Sequence, residues 1–154
     1  MGSLEFLDMT TNKLFTIGYE GKSIEVFIEE LLEKNICVLV DVRLTPLSRK
    51  PGFAKRRLAT ELAKHNIEYL HFPALGNPKD NRNNFRATRS GSAAMKFRRL
   101  MRRDSDDVLY EIANMSKRKK IALMCFEHDA MCCHRTVVAE LVAEKDAVIE
   151  VVAV

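Results

Sequence analysis

The sequence predicts an α/β protein: a single domain on a mostly parallel sheet of about five strands, with helices on both faces. Three observations carry that prediction. Short apolar, β-rich runs alternate along the chain with segments of helical periodicity, as in a succession of βαβ units. One run, Ile36-Cys37-Val38-Leu39-Val40-Asp41-Val42, is almost continuously apolar, as a strand covered on both faces must be. At 154 residues the chain is also long enough to bury an ordinary core without disulfide or metal support. Residues 1–12 read as an N-terminal extension, opening on a Met1-Gly2-Ser3 that looks partly like an expression remnant, and 13–154 as the single domain.

The elements follow in order. Leu14 to Gly18 is a short strand that ends in a turn marked by Gly18 and Gly21. Ser23 then caps a helix whose Ile24, Phe27, Ile28, Leu31 and Leu32 fall at inward spacing, and Asn35 stops it. The apolar run 36–42 is the second strand, and Arg43, Pro46 and Pro51 demand a loop after it. Residues 53–64 read as a helix with Phe53, Leu58 and Leu62 inward, and 67–72 as a third strand. From Pro73 to about Ser92 the composition turns to Gly, Asn, Pro and Arg, the signature of a long loop. Helices resume over 92–103 and 105–117; residues 121–126 form a fourth strand, 135–145 a helix, and 147–152 a fifth strand.

No run is long and apolar enough to span a membrane and no secretory leader opens the chain, so a cytoplasmic protein is expected. Three of the four cysteines crowd one segment, unlike an evenly spaced disulfide framework. The net charge of +4 hides a segregation. Residues 43–103 carry 16 basic and 3 acidic groups, a net +13, while the flanks together carry −9. Either an anionic partner or basic segments folded against acidic helices accounts for that pattern.

In a parallel α/β sheet the loops after the strands gather at one edge, where chemistry is usually done. Those loops hold Tyr19 and Glu20, then Asp41 to Lys50, then the long loop after Pro73, then Glu127 to Arg135. The last is the densest in reactive groups: from Cys125 to Arg135 it holds three cysteines, two of the four histidines, a glutamate and an arginine. Cys133 stands just before a predicted helix, where the helix N-terminus, His134 and Arg135 favour a thiolate. Cys133 or Glu127 is therefore expected to do covalent or acid/base work, with His134 tuning or relaying a proton. Cys125, inside an apolar strand, reads as a small buried hydrophobe.

Zinc is a minority reading, because adjacent residues seldom share one tetrahedral ion and no C-x-x-C spacing occurs. No cofactor is expected: the glycines at 18 and 21 lack the rest of a dinucleotide fingerprint, and there is no Walker lysine motif. A redox disulfide between Cys125 and Cys133 stays open. In the second strand's loop, Arg43 and Ser48, with Tyr19 and Arg135, are the candidates for holding an anion; the competing reading of Arg43 is a local ion pair with Asp41. Arg82, Arg86 and Arg89 are candidate clamps for a polyanion.

Thr16-Ile17-Gly18-Tyr19, Asp41-Val42-Arg43, Pro46, Ser48, Phe53, Tyr69 with His71, Leu75-Gly76, Cys125, Glu127 and Cys133-His134-Arg135 together resemble the family called domain of unknown function 488. That resemblance implies a small intracellular α/β protein and the same crevice residues, and it brings no activity with it. The expected function is an enzyme that binds an anionic small molecule, nucleotide or nucleic-acid component, at the strand ends. The alternative is a non-catalytic module that binds nucleic acid through its basic central region.

Overall fold

Among the described residues, five strands run parallel in one sheet of order β3-β2-β4-β1-β5. The structure is a computed structural model that describes residues 12–81, 91–127 and 133–154. Its elements are β1 (Asn12–Gly18), α1 (Ile24–Glu33), β2 (Val38–Asp41), α2 (Lys55–Ala63), β3 (Glu68–His71), a 3₁₀ turn (Pro73–Leu75), α3 (Gly91–Asp104), α4 (Asp106–Ser116), β4 (Ile121–Cys125), α5 (His134–Ala143) and β5 (Ile149–Ala153). The α/β architecture with five parallel strands is thus as expected. Residues 1–11 of the expected N-terminal extension, with Arg82, Arg86, Arg89, His128 and Cys132, lie outside the described residues, whereas Asn12, its last residue, already opens β1.

The sheet's two buried faces explain its apolar strands. Alternation sends Leu14, Val38, Val40, Ile121 and Leu123 toward α3, α4 and α5, where Phe97, Met101, Leu109, Ile112 and Val138 meet them. It sends Phe15, Ile17, Leu39, Ala122 and Met124 the other way, onto Phe27, Ile28 and Leu31 of α1 and Leu58 and Leu62 of α2. The Ser23 hydroxyl accepts from the Val26 amide and caps α1 as expected.

Two local expectations are corrected. Leu32 is 42 % exposed, because the buried stripe of α1 is complete with Phe27, Ile28 and Leu31. Phe53 is fully buried but precedes α2, whose first helical residue is Lys55; the loop before the helix drops its ring into the core. The basic centre is partly neutralised within the fold, since Arg98 and Arg102 of α3 pair with Glu140 and Glu144 on and just after α5. Among the described residues no helix is long and apolar enough to cross a membrane.

The strand order determines where the site sits. From β1 the chain moves to β2 and on to the β3 edge, then returns to insert β4 between β2 and β1 and finishes at the opposite edge. The carboxyl ends of β2, β4 and β1 are therefore neighbours at the point where the winding reverses, the place where open α/β sheets leave a crevice. Ladder hydrogen bonds continue past the strands and pin the loop starts: Tyr19 N to Cys125 O at 3.3 Å, Glu20 N to Phe126 O at 2.8 Å, and Val42 N to Met124 O at 3.1 Å.

Candidate active site

The same alternation that builds the two cores divides the polar residues at the strand ends. Asp41 follows Leu39 and turns toward α1 and α2; Cys125 follows Leu123 and turns toward α3 and α5. Between them opens a crevice of about 170 Å³, lined by Tyr19, Arg43, Asn77, Cys125, Glu127 and His134, with residues 44, 45, 47 and 126 at its sides. Glycines permit its close walls. A Cβ on Gly18 would overlap the Glu127 carbonyl, and one on Gly76 would overlap the Leu44 backbone.

On the α1/α2 side Asp41, fully buried, anchors a network. Its carboxylate accepts from the Arg43 amide at 3.0 Å, from Arg43 Nε at 2.9 Å, from an Arg43 terminal nitrogen at 2.7 Å and from the Tyr69 hydroxyl at 2.5 Å. The other terminal nitrogen of Arg43 donates to the Tyr19 hydroxyl at 3.2 Å and to the Phe53 carbonyl at 2.8 Å. Of the five guanidinium hydrogens, four are thereby directed inward. The ion-pair reading of Arg43 is the one seen, and its capacity to grip an anion directly is correspondingly small. Burial works against the Arg43 charge, but the hydrogen bonds and field of Asp41, with Tyr19 behind them, outweigh it and hold the proton more firmly than in a free arginine.

Tyr69 was not singled out from sequence as a site residue, yet it completes this network. Burial, then its bond to Asp41, push the phenol above its ordinary value, with the Arg43 charge pulling the other way. The folded protein therefore keeps this proton over a pH range in which the unfolded chain has released it. The contribution to stability is complete below the ordinary phenol value, about pH 10, and is lost as pH climbs through the raised one. Urea denaturation at stepped pH is expected to show wild-type stability falling faster above about pH 10 than that of Tyr69→Phe; parallel profiles would refute the assignment.

Two histidines brace the loop that follows β2. His71 Nε2 lies 2.7 Å from the Arg43 carbonyl and His134 Nε2 lies 2.8 Å from the Val42 carbonyl. A carbonyl only accepts, so each ring carries its proton on Nε2 and its Nδ1 is an acceptor when the ring is neutral. For His134 that acceptor faces Cys133 Sγ at 3.9 Å, and Phe97 holds the ring edge-on at 5.4 Å between centroids.

On the α3/α5 side Cys133 is the N-cap of α5, in extended backbone, and its sulfur is joined to that of Cys125 in a disulfide, the pairing the sequence left open. Cys125 Sγ also lies 3.5 Å from Glu127 Oε2 and receives a guanidinium N–H of Arg135 at 3.7 Å. Cys125 is 2 % exposed and belongs to the core as expected, but it also lines the crevice; Cys133, 1 % exposed, lies behind it.

The sequence candidates are thus sorted by depth. Tyr19, Arg43, Glu127 and His134 share the crevice. Arg135 is buried beneath it, donating to the Glu127 carbonyl and to Cys125, because the first turn of α5 points it inward under the β4 end. Ser48 does not line the crevice; its hydroxyl accepts from the Lys50 amide and closes a local turn. Lys50 reaches back to the Tyr19 carbonyl at 3.2 Å, a further basic group near the site. Asn77, missed from sequence, is 3 % exposed and lines the crevice, and its side-chain oxygen accepts from Asn81 at 3.0 Å.

The family model described as "Domain of unknown function DUF488" matches residues 23–142, more than half of the chain. No curated protein and no solved structure matches.

Proposed function

We propose, for this chain, which belongs to the DUF488 family, that it is a cytoplasmic enzyme acting on a small anionic substrate held at the carboxyl ends of β1, β2 and β4. The observation that carries the reading is a single crevice lined by hydrogen-bond donors on one wall and by sulfur, imidazole and carboxylate on the other. Tyr19, the fifth hydrogen of Arg43 and Asn77 supply donors for the anion, and the +1 charge of Arg43, neutralised locally by Asp41, makes the wall polar rather than strongly basic. Glu127 carries the proton transfer, while the Cys125, Cys133 and His134 group supplies the reactive centre. Arg135 serves as a positioning residue that holds the Glu127 backbone and Cys125. A nucleotide or nucleic-acid component is the favoured substrate class, since its phosphate matches the donor wall. The exposed free thiol of Cys37 is in keeping with a reducing compartment.

Titration of ¹⁵N-labelled protein with adenosine monophosphate and with inorganic phosphate tests the reading. Saturable amide shifts are expected in residues 43–47, 77 and 126–127. Tyr19→Phe keeps the ring but removes one hydroxyl from the wall, and is expected to weaken binding about tenfold, the worth of one hydrogen bond to a charged group. If the shifts instead fall on Lys55, Arg56 and Arg57, appear only with duplex nucleic acid and vanish steeply with salt, the nucleic-acid-binding module is the better account.

A further inference from the structure

The three groups at the back of the crevice have the composition and geometry of a metal site. Cys125 Sγ, Cys133 Sγ and a His134 ring nitrogen all lie within 4.8 Å of one another, in buried or half-buried positions. From these residues we infer that the reduced protein binds one zinc ion through Cys125, Cys133 and His134, with the fourth position open to the crevice. The inference rests on the crevice reading above and assigns its reactive centre.

Four features support it. The structure joins Cys125 and Cys133 in a disulfide, the oxidised form of the pair, but over Cα atoms 7.3 Å apart, beyond the roughly 4.4–6.8 Å that disulfides usually span. Two thiolates on one zinc, each about 2.3 Å from the ion at a tetrahedral angle, stand roughly 3.8 Å apart and tolerate the wider backbone. Next, the His134 Nε2–H bond to the Val42 carbonyl is the outer bond that orients a zinc-binding imidazole, and it leaves Nδ1 directed toward Cys133 Sγ, 3.9 Å away. Third, the Arg135 N–H directed at Cys125 Sγ is the kind of donor that stabilises a bound thiolate.

The fourth feature answers the objection that neighbouring residues seldom share an ion. Cys133 is extended (φ −122°, ψ 138°) while His134 opens α5, and the change of backbone direction between them brings both side chains to the same side. Two thiolates and one imidazole select zinc over magnesium or calcium. Three protein ligands with a fourth position open to the crevice, where Glu127 stands 3.5 Å from Cys125 Sγ, is the arrangement of a catalytic rather than a structural ion. An ion there polarises an anionic oxygen of the substrate.

The test uses full-length protein carrying Cys37→Ser, purified under reductant. About one equivalent of zinc by elemental analysis is expected, falling below about a tenth in Cys125→Ser and Cys133→Ser. Cobalt(II) added to the stripped protein is expected to give thiolate-to-cobalt charge-transfer absorption and the intense visible bands of a tetrahedral ion. His134→Ala should alter those bands while keeping the charge transfer. Because the serine variants are nearly isosteric, their circular dichroism reports whether they fold; if they do not, the cobalt spectrum of the Cys37→Ser protein decides alone. Failure to bind either ion in the reduced state, or binding unchanged by both serine variants, overturns the inference. So does a quantitative Cys125–Cys133 disulfide that persists under reductant. Adenosine monophosphate binding by metal-free protein separates the two readings. Phosphate-dependent shifts without metal binding sink the ion and leave the crevice reading standing; metal binding with no such shifts does the reverse.

Discussion

Asp41→Asn is expected to cost about 3–5 kcal/mol of folding stability, the range for breaking a buried ion pair from one side. Asp41 is fully buried and Arg43 is 7 % exposed, so the substitution strands a guanidinium with no counter-charge and little water. It also weakens the acceptor for Tyr69 and for the Arg43 amide, so the loop that follows β2 loses its anchor. Urea unfolding checks the magnitude. The companion measurement is the double variant Asp41→Asn with Arg43→Met, which removes the orphaned charge. It should recover a large part of the loss, and the non-additivity is the signature of direct coupling. A single variant that loses less than about 1 kcal/mol, the scale of an exposed pair, would show that the network is wet and the crevice wall not preorganised.

Phe53→Ala carries the second large effect, about 3–5 kcal/mol for emptying the space of a buried phenyl ring. Phe53 is fully buried; it stacks on Tyr19 with centroids 4.4 Å apart and meets Phe27 edge-on at 5.2 Å. Its backbone carbonyl accepts from Arg43, so the ring fastens the end of the Arg43–Phe53 loop to the core at the point where that loop supports the site. Loss of the ring is therefore expected to release Tyr19 as well, read as collapse of its ring-current shifts in the proton spectrum. Phe126→Ala is the control. Phe126 also touches Tyr19 but is 39 % exposed, and its truncation should cost well under half as much.

The helix start at Cys133-His134 was readable to within one residue, because Val137, Val138, Leu141 and Val142 fall at helical spacing just beyond it. Tyr69, His71 and Asn77 illustrate what was not readable as a site. Tyr69 and His71 belong to the residues that carry the family resemblance, but no local pattern gives any of the three a role, and each matters through a partner far away in the chain. Tyr69 and His71 reach Asp41 and Arg43 because β3 pairs with β2 in a register that sets His71 opposite Asp41. Asn77 reaches the crevice because the turn at Gly76 packs on Leu44. Arg43 and Arg135 show the converse case. Their positions at the strand and helix ends were evident, but a guanidinium has a finite number of donors, and which of them remain for a ligand depends on acceptors supplied by distant segments.

By itself the sequence of this protein determines the alternation of strands and helices, the burial of the sheet on both faces, and the edge at which four chemically loaded loops must emerge. These follow from hydrophobic periodicity and turn chemistry, which are local and survive in one dimension. Only the tertiary structure decides the strand order that inserts β4 between β1 and β2. With it comes the joining of Cys125 to Cys133, and the division of the arginines between a crevice wall and its foundation. Those outcomes depend on which side chains compete for the same donors, acceptors and space, and that competition exists only once remote segments share a volume.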